Sequence, residues 1–399
     1  SAAVRVEKIV DAIRDAGHEV VVLCPNHPGR ARRETVDDAH RIRRFGMDTG
    51  PIWKRLICHP FPGNPFWIFH TARMIREERL DAVIGCSLRV MFAAAIAARL
   101  RRRPSVFDMA EYYPGMWLLR ERTTRLDRIL KGPLVNTVLE RWAVHLADHT
   151  WVVVPDQRIR LAADRHDPAR ISVVSNTPEL PREIGALPVA AERATPGTPL
   201  RLLYIGFLAR MRGLHLVIRA LGLLRRAGDV DPLPRFTVVG DGDARSDLER
   251  LVAEEAVEEL VDFRGWRPRS ELGQALASHE VGVVPHEVSA FTHHTIPNKL
   301  FDSMLYGLAV IATPMRPVER VLESSSCGII ADETPEAFAA AIRRLDEDRE
   351  LLRTMGREGR KAVEEHYNWS IDAAEVVGTL ERLHAMRLRR EADAAADTP

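Results

Sequence analysis

Leu200-Arg-Leu-Leu-Tyr-Ile-Gly-Phe-Leu-Ala-Arg-Met-Arg-Gly-Leu214 runs from an apolar strand, through a glycine-bounded turn, into a helix. The helical pattern continues over Leu214–Arg226, and the alternation then repeats. Phe236–Val239 reads as a strand followed by the turn Gly240-Asp-Gly242. Val261–Phe263 is a short strand ending at Arg264-Gly265. Val281–Val284, Ala309–Ala312 and Gly328–Ile330 are further strands, and the helices Pro335–Leu345 and Asp372–Leu383 close the pattern. Short apolar runs separated by helical stretches mean βαβ units and a parallel sheet.

The same rhythm holds before residue 180. A helix over Ala3–Ala16, ended by Gly17, precedes a strand over Glu19–Cys24. Helices at Trp67–Glu78 and Leu88–Arg101 frame the strand Ala82–Cys86, and Ser105–Phe107, Thr150–Val154 and Ile171–Val174 are strands. Pro181, Pro188, Pro196 and Pro199 interrupt the alternation and read as a connection. The expected organisation is therefore a Rossmann-like domain over 1–180, a linker over 181–199 and a second Rossmann-like domain over 200–370. A helix over 371–386 and a charged, Ala-rich tail over 387–399, expected to fray, follow. Open α/β sheets bind ligands beyond the carboxyl ends of their strands, which makes the space between two such domains the default site.

Composition narrows the class. The 399 residues exceed one ordinary domain, and 46% hydrophobic with 28% charged residues is a globular balance. Lys+Arg (57) nearly equals Asp+Glu (56), which argues against nucleic acid as a partner. No apolar run approaches the ~20 residues that span a bilayer. Cys24, Cys58, Cys86 and Cys327 have no metal spacing; Cys24 and Cys86, in apolar runs, read as buried free thiols, which suits a reducing cytoplasm. Cations are mostly Arg, with lysine only at positions 8, 54, 131, 299 and 361.

Three segments together carry a resemblance: Tyr204–Leu214; Val238-Val-Gly-Asp-Gly242 with Val261–Gly265; and Pro297-Asn-Lys-Leu-Phe-Asp-Ser-Met304 with Gly307–Ala312 and Cys327-Gly328. In this order and spacing the second half resembles the C-terminal domain of GT-B-fold glycosyltransferases of family 4. These are group 1 glycosyltransferases, retaining enzymes that use nucleotide-sugar donors and include bacterial surface-polysaccharide types. Gly17–Val22 and Phe107-Asp-Met-Ala-Glu-Tyr-Tyr-Pro114 resemble the family's more variable acceptor domain. The resemblance implies a GT-B α/β fold, two Rossmann-like domains facing a central cleft. It also implies that the family's first strand and glycine-rich loop precede residue 1.

Glycosyl transfer builds negative charge on the leaving diphosphate and positive charge at the anomeric carbon, so the site needs cations and amide donors at the phosphates. The turn after the strand, Gly206–Gly213, lets backbone approach an anion at a helix start. Where the family reads Gly-Arg-x-x-x-x-Lys-Gly, this chain has Phe207 in place of the Arg and Arg212 in place of the Lys, with Arg210 as an alternative cation. Pro297, Asn298, Lys299 and Leu300 begin a helix whose first amides would face the donor. A lysine in that first turn is unfavourable unless an anion binds. The family's two glutamates, eight residues apart, fall on His294 and Asp302; the resemblance implies a ribose contact for Asp302 and a donor-sugar contact for His294. Gly240 and Gly242 would clear space for the nucleotide, and Trp266 packs either on the base or on the domain.

Gly240-Asp-Gly-Asp243 has an Asp-x-Asp spacing that elsewhere holds a metal. It directly follows an apolar strand, with no second carboxylate group converging on it in the pattern. No metal and no cofactor are therefore expected, the nucleotide sugar being a substrate. Asp108 and Glu111 follow the strand Ser105–Phe107, at the end that faces a ligand. Glu111 is the first candidate to orient or deprotonate the acceptor hydroxyl and Asp108 the second; both could also cap the next helix.

Arg99, Arg101, Arg102 and Arg103, and the Arg residues interleaved with Trp117, Leu118 and Leu119 over Met116–Lys131, suit either an anionic membrane surface or a solvated helix. The expected function is transfer of a sugar, most often from a UDP-sugar, to a lipid-linked or saccharide acceptor in surface-polysaccharide assembly. The expected location is the cytoplasm or the inner membrane face. A nucleotide-sugar 2-epimerase and a degenerate GT-B nucleotide- or partner-binding protein are the alternatives.

Overall fold

The computed structural model describes residues 2–26, 29–46, 62–116, 132–181, 183–187 and 189–396. The chain divides into two units, Ser1–Ser175 with Ile371–Pro399, and Asn176–Ser370.

In the first unit, helix α1 (Ala2–Asp15) leads into β1 (Val20–Pro25), β2 (Arg33–Asp37) and β3 (His40–Phe45). These strands form a sheet in the order β1-β3-β2, with β1 parallel and β2 antiparallel to β3. A second sheet, wholly parallel, has the order β4-β5-β6-β7, from Val83–Gly85, Ser105–Met109, His149–Val152 and Ile171–Val173. Helices α2 (Pro65–Glu77), α3 (Leu88–Leu100), α4 (Pro133–Leu146) and α5 (Pro155–Ala163) connect these strands. Helix α2 starts where Asn64 accepts from the Phe66 N–H and Pro65 takes a position that needs no amide. The small buried face of α3, Ala93–Ala95 with Ala97 and Ala98, lets helices and strands approach closely, and Phe107, Met109, Val152 and Leu161 fill the core beside Met91.

The second unit matches the sequence alternation strand for strand. It runs β8 (Arg201–Ile205), α6 (Leu214–Ala227), β9 (Arg235–Val239), α7 (Arg245–Glu254), β10 (Val261–Gly265), α8 (Arg269–Ala277), β11 (Val281–Val284), α9 (Asn298–Leu305), β12 (Ala309–Ala312), α10 (Arg316–Ser325), β13 (Gly328–Ile330), α11 (Pro335–Glu347) and α12 (Arg349–Glu365). The parallel sheet has the order β10-β9-β8-β11-β12-β13, the doubly wound arrangement. β8, β11 and β12 are almost wholly buried, as strands covered by helices on both faces must be. Helix α6 turns Leu214, Val217, Ile218, Leu221 and Leu224 into the core and Arg219, Arg225 and Arg226 outward. Each buried leucine contributes about 2 kcal/mol of transfer free energy.

Two boundaries differ from expectation. The proline-rich stretch belongs to the second unit: the Ala190 and Ala191 amides donate to Tyr306 and Gly307 carbonyls (2.9 and 3.0 Å), and both alanines are buried. The last helix among the described residues, α13 (Trp369–Ala396), runs unbroken over 387–396, part of the stretch expected to fray. Arg387 on it pairs with Asp81 (3.0 Å) and with Glu391 one turn on, which ties the helix to the first unit. Cys24 and Cys86 are half-buried and Cys327 is buried, all as free thiols; Cys58 lies outside the described residues.

Candidate donor site at the switch point of the second unit

Strand order reverses between β8 and β11, so the loops leaving these strands diverge and open a crevice at their carboxyl ends. The structure gathers Gly206, Arg212, Lys299 and Asp302 from the sequence candidates here.

Three loops are stitched together by main-chain bonds. The Gly206 amide donates to Val239 O (2.9 Å), Leu208 to Asp241 O (3.0 Å) and Gly240 to Gly265 O (2.8 Å). This close approach explains a glycine at 240, where φ is +147° and a Cβ would lie 1.9 Å from Gly206 O. Gly242 lies beside Leu208 in the same seam. Asp241 bonds its carboxylate to the Gly242 amide (2.9 Å). On the other side, a Cβ on Gly213 (φ +68°) would fall 1.6 Å from Pro285 O, so the turn Arg210–Gly213 lies flat against the end of β11.

Lys299 is the second residue of α9. Its Nζ lies 3.5 Å from the Tyr204 ring centre, a cation–π contact, and 3.1 Å from where a Gly206 Cβ would stand. A small pocket bounded by Ile205, Lys299, Asp302 and Ser303 opens beside it. Burial, followed by Arg212, holds Lys299 well below the ordinary lysine value, and Asp302 acts the other way. Two basic side chains beside a glycine-bounded turn, in a partly desolvated crevice, have the chemistry to take an anion.

Two residues that the sequence reading passed over complete the arrangement. Tyr204 is buried and donates its hydroxyl to Phe207 O (2.9 Å). His286, just past β11, is 2% exposed, with ring nitrogens 3.3 and 3.5 Å from Arg212 Nη1.

The side chain of Phe207 projects outward, 56% exposed, and Arg210 is exposed beside it. Leu300 is a core residue whose amide donates to Pro297 O (3.0 Å), so it offers nothing to a ligand; Asn298 is exposed and Pro297 half-buried. His294 sits in a tight turn, Nδ1 against Ala290 O (2.8 Å). Trp266 is 72% exposed after β10; the structure gives it no packing role in the domain core.

In the first unit, Asp108 is buried and held by Arg5 of α1, with Nη2–Oδ1 at 2.7 Å and Nε–Oδ1 at 3.0 Å. The guanidinium also donates to Ser175 O. This bidentate ion pair ties α1 to β5 and engages both Asp108 oxygens. Glu111 is half-buried, two residues beyond β5. Of the basic segments, Arg99 and Arg101 donate to Leu146 and Ala72 carbonyls, Arg103 lies 3.7 Å from Glu391, and 117–131 lies outside the described residues.

Two family models match the chain. "Glycosyl transferase 4-like domain" covers residues 2–177 and "Glycosyl transferases group 1" covers 199–348. The chain is 25% identical to the lipopolysaccharide core biosynthesis glycosyltransferase LpsE of Rhizobium meliloti, over 89% of this chain and 88% of that protein. It is 27% identical to the amylovoran biosynthesis glycosyltransferase AmsK of Erwinia amylovora over 46% of this chain, and this match spans about half (45%) of that relative. Among solved structures, sucrose-phosphate synthase from Thermosynechococcus elongatus aligns with a TM-score of 0.74 at 17% identity, over 96% and 93% of the two chains. Anabaena HepE in complex with UDP aligns with a TM-score of 0.63 at 16% identity, over 86% of each chain. The chain thus carries two glycosyltransferase domains, a 4-like domain over 2–177 and a group 1 domain over 199–348, on the GT-B α/β fold that it shares with these structures.

Proposed function

We propose that the protein is a retaining, metal-independent glycosyltransferase that moves a sugar from a UDP-sugar to a lipid-linked or saccharide acceptor in cell-surface polysaccharide assembly. The observation that carries this reading is the convergence of Lys299 and Arg212 on the Gly206 turn at the switch point. Their charges oppose the build-up on a departing diphosphate, and α9 adds the positive end of its dipole. Asp302 accepts from the ribose, and Trp266, Gly240 and Gly242 bound the nucleoside. In this reading His294 and the Asn298 amide contact the donor sugar. Glu111 orients the acceptor hydroxyl while the leaving phosphate helps take its proton, so no enzyme nucleophile and no cofactor is required. The relatives in lipopolysaccharide and amylovoran biosynthesis support the polysaccharide role, and the HepE complex supports UDP. The test is a thermal-shift panel of UDP, GDP and ADP with their sugars, followed by donor hydrolysis without acceptor. Stabilisation by UDP and slow release of sugar are expected. Stabilisation by no nucleoside diphosphate sinks the reading.

The same proposal places the enzyme in the cytoplasm, against an anionic membrane surface. No helix among the described residues is long and apolar enough to cross a membrane. Helix α4 nevertheless exposes Leu134 (82%), Val138 (53%) and Trp142 (58%), four residues apart on one face. Arg141 and His145 flank this stripe, while the helix's one acid, Glu140, turns inward to Arg160 (2.7 Å). An apolar stripe whose exposed charged neighbours on the helix are basic complements anionic lipid. Co-sedimentation with vesicles containing phosphatidylglycerol, lost in the triple variant Leu134→Ser, Val138→Ser, Trp142→Ser, is expected. Equal binding by the variant contradicts this part.

A further inference from the structure

His286 is a buried titratable side chain that the reaction outlined above does not use. Its backbone is fixed from two sides. The adjacent Glu287 amide donates to Met211 O (2.9 Å), and the Thr313 hydroxyl donates to the His286 carbonyl (2.6 Å). With Gly213 flat against Pro285 O, the strand end Pro285–Glu287 and the turn Met211–Gly213 form one unit across the switch point. The imidazole points from that unit at the Arg212 guanidinium, Nε2 being the nearer nitrogen at 3.3 Å.

Chemistry narrows what this contact can be. A guanidinium donates and never accepts, so a hydrogen bond from it requires a lone pair on an uncharged ring. Burial first, then Lys299 and Arg212, hold His286 well below the ordinary histidine value, which keeps it in that form. Arg212 sits in a short turn, half-buried, and its long side chain otherwise has many rotamers to lose when it clamps an anion. An acceptor on a rigid strand end removes part of that cost in advance.

We propose that His286 is a positioning residue of the donor site, whose neutral imidazole accepts from Arg212 and presets its guanidinium for a nucleoside diphosphate. This rests on the donor reading above and assigns to that site a residue that touches the ligand only through Arg212.

The experiment compares UDP and uridine binding by titration calorimetry on the full chain and on His286→Phe, His286→Asn, Arg212→Ala and the double variant Arg212→Ala with His286→Phe. Phe keeps a planar ring, somewhat larger, without an acceptor; Asn restores an acceptor oxygen. His286→Phe is expected to weaken UDP about tenfold, as loss of a charge-assisted hydrogen bond does, with uridine unchanged. His286→Asn recovers most of the loss, and in the Arg212→Ala background the Phe substitution has no further effect. Equal losses for UDP and uridine, or an undiminished loss without Arg212, overturn the positioning role. If His286→Phe misfolds, His286→Leu, also without an acceptor, takes its place: a UDP-selective loss that vanishes in the Arg212→Ala background supports the role, and equal losses for UDP and uridine overturn it. A wild-type chain that binds no nucleoside diphosphate rejects the donor reading first, and this inference with it.

Discussion

Lys299 Nζ lies 3.5 Å from the centre of the buried Tyr204 ring. A β8 aromatic thus holds the α9 lysine over the Gly206 turn, in a place where the cation has lost part of its water. The ring offers it only a quadrupole in exchange. A lysine so placed responds strongly to an anion.

That response has a sign in pH. Burial and Arg212 lower the Lys299 pKa, so in the empty site it gives up its proton at lower pH than a surface lysine. A diphosphate favours the charged form, and binding therefore takes up a proton wherever the free lysine is neutral. Affinity for UDP is expected to fall as pH rises through the lowered pKa, below the usual lysine range. Lys299→Arg, charged throughout, should flatten that dependence. Calorimetry at several pH values, in buffers of different ionisation enthalpy, reads both effects; a flat wild-type profile with no proton uptake rejects this coupling.

The Arg5–Asp108 pair gives a second prediction. Removing one partner leaves a buried charge, which costs about 3–5 kcal/mol. Asp108→Ala is expected to lower the melting temperature sharply, while the double replacement Arg5→Met, Asp108→Leu recovers most of it. Activity should follow stability. A stable double variant with no activity would return Asp108 to the chemistry.

Gly240→Ala is a third. Its Cβ would meet Gly206 O at 1.9 Å in a backbone conformation that L-residues rarely adopt. A loss of about 3 kcal/mol is expected from strain and overlap together. Urea unfolding measures it, and a change under 1 kcal/mol contradicts the close seam between the two loops.

His149 gives the fourth. It is buried on β6, with Nε2 2.9 Å from Ser172 Oγ, and burial holds its pKa down to about 4, against the pull of Glu375. The unfolded chain gains this proton near pH 6.5 and the native one only near 4. Stability is therefore lost as pH falls between these values, by about 3 kcal/mol in the limit. His149→Gln should reduce the slope of melting temperature against pH over that range; an unchanged slope places the acid sensitivity elsewhere.

The second unit was legible because its strands are buried on both faces and read as apolar runs. β2 and β3 were not, for His40-Arg-Ile-Arg-Arg-Phe45 looks like a solvated loop. Its arginines are carried by distant acids, Arg43 by Glu78 (2.6 Å) and Arg41 by Glu19 (2.6 Å). Sequence gives no hint of such partners, and the same holds for Arg387 with Asp81. At the site, Gly206, Arg212, Lys299 and Asp302 stood out by residue type at helix starts and turns. Tyr204 was hidden within an apolar strand, and His286 within an ordinary strand end. The signal that could have found His286 is its position: it leaves β11, the strand next to β8, at the carboxyl end.

The most direct test of the donor site is titration of UDP and uridine into the wild-type chain, Lys299→Ala and Arg212→Ala. The account predicts that both variants bind UDP at least tenfold more weakly and uridine almost as well as wild type. Equal loss of both ligands, or undiminished UDP binding by both variants, would contradict a diphosphate held between Lys299 and Arg212.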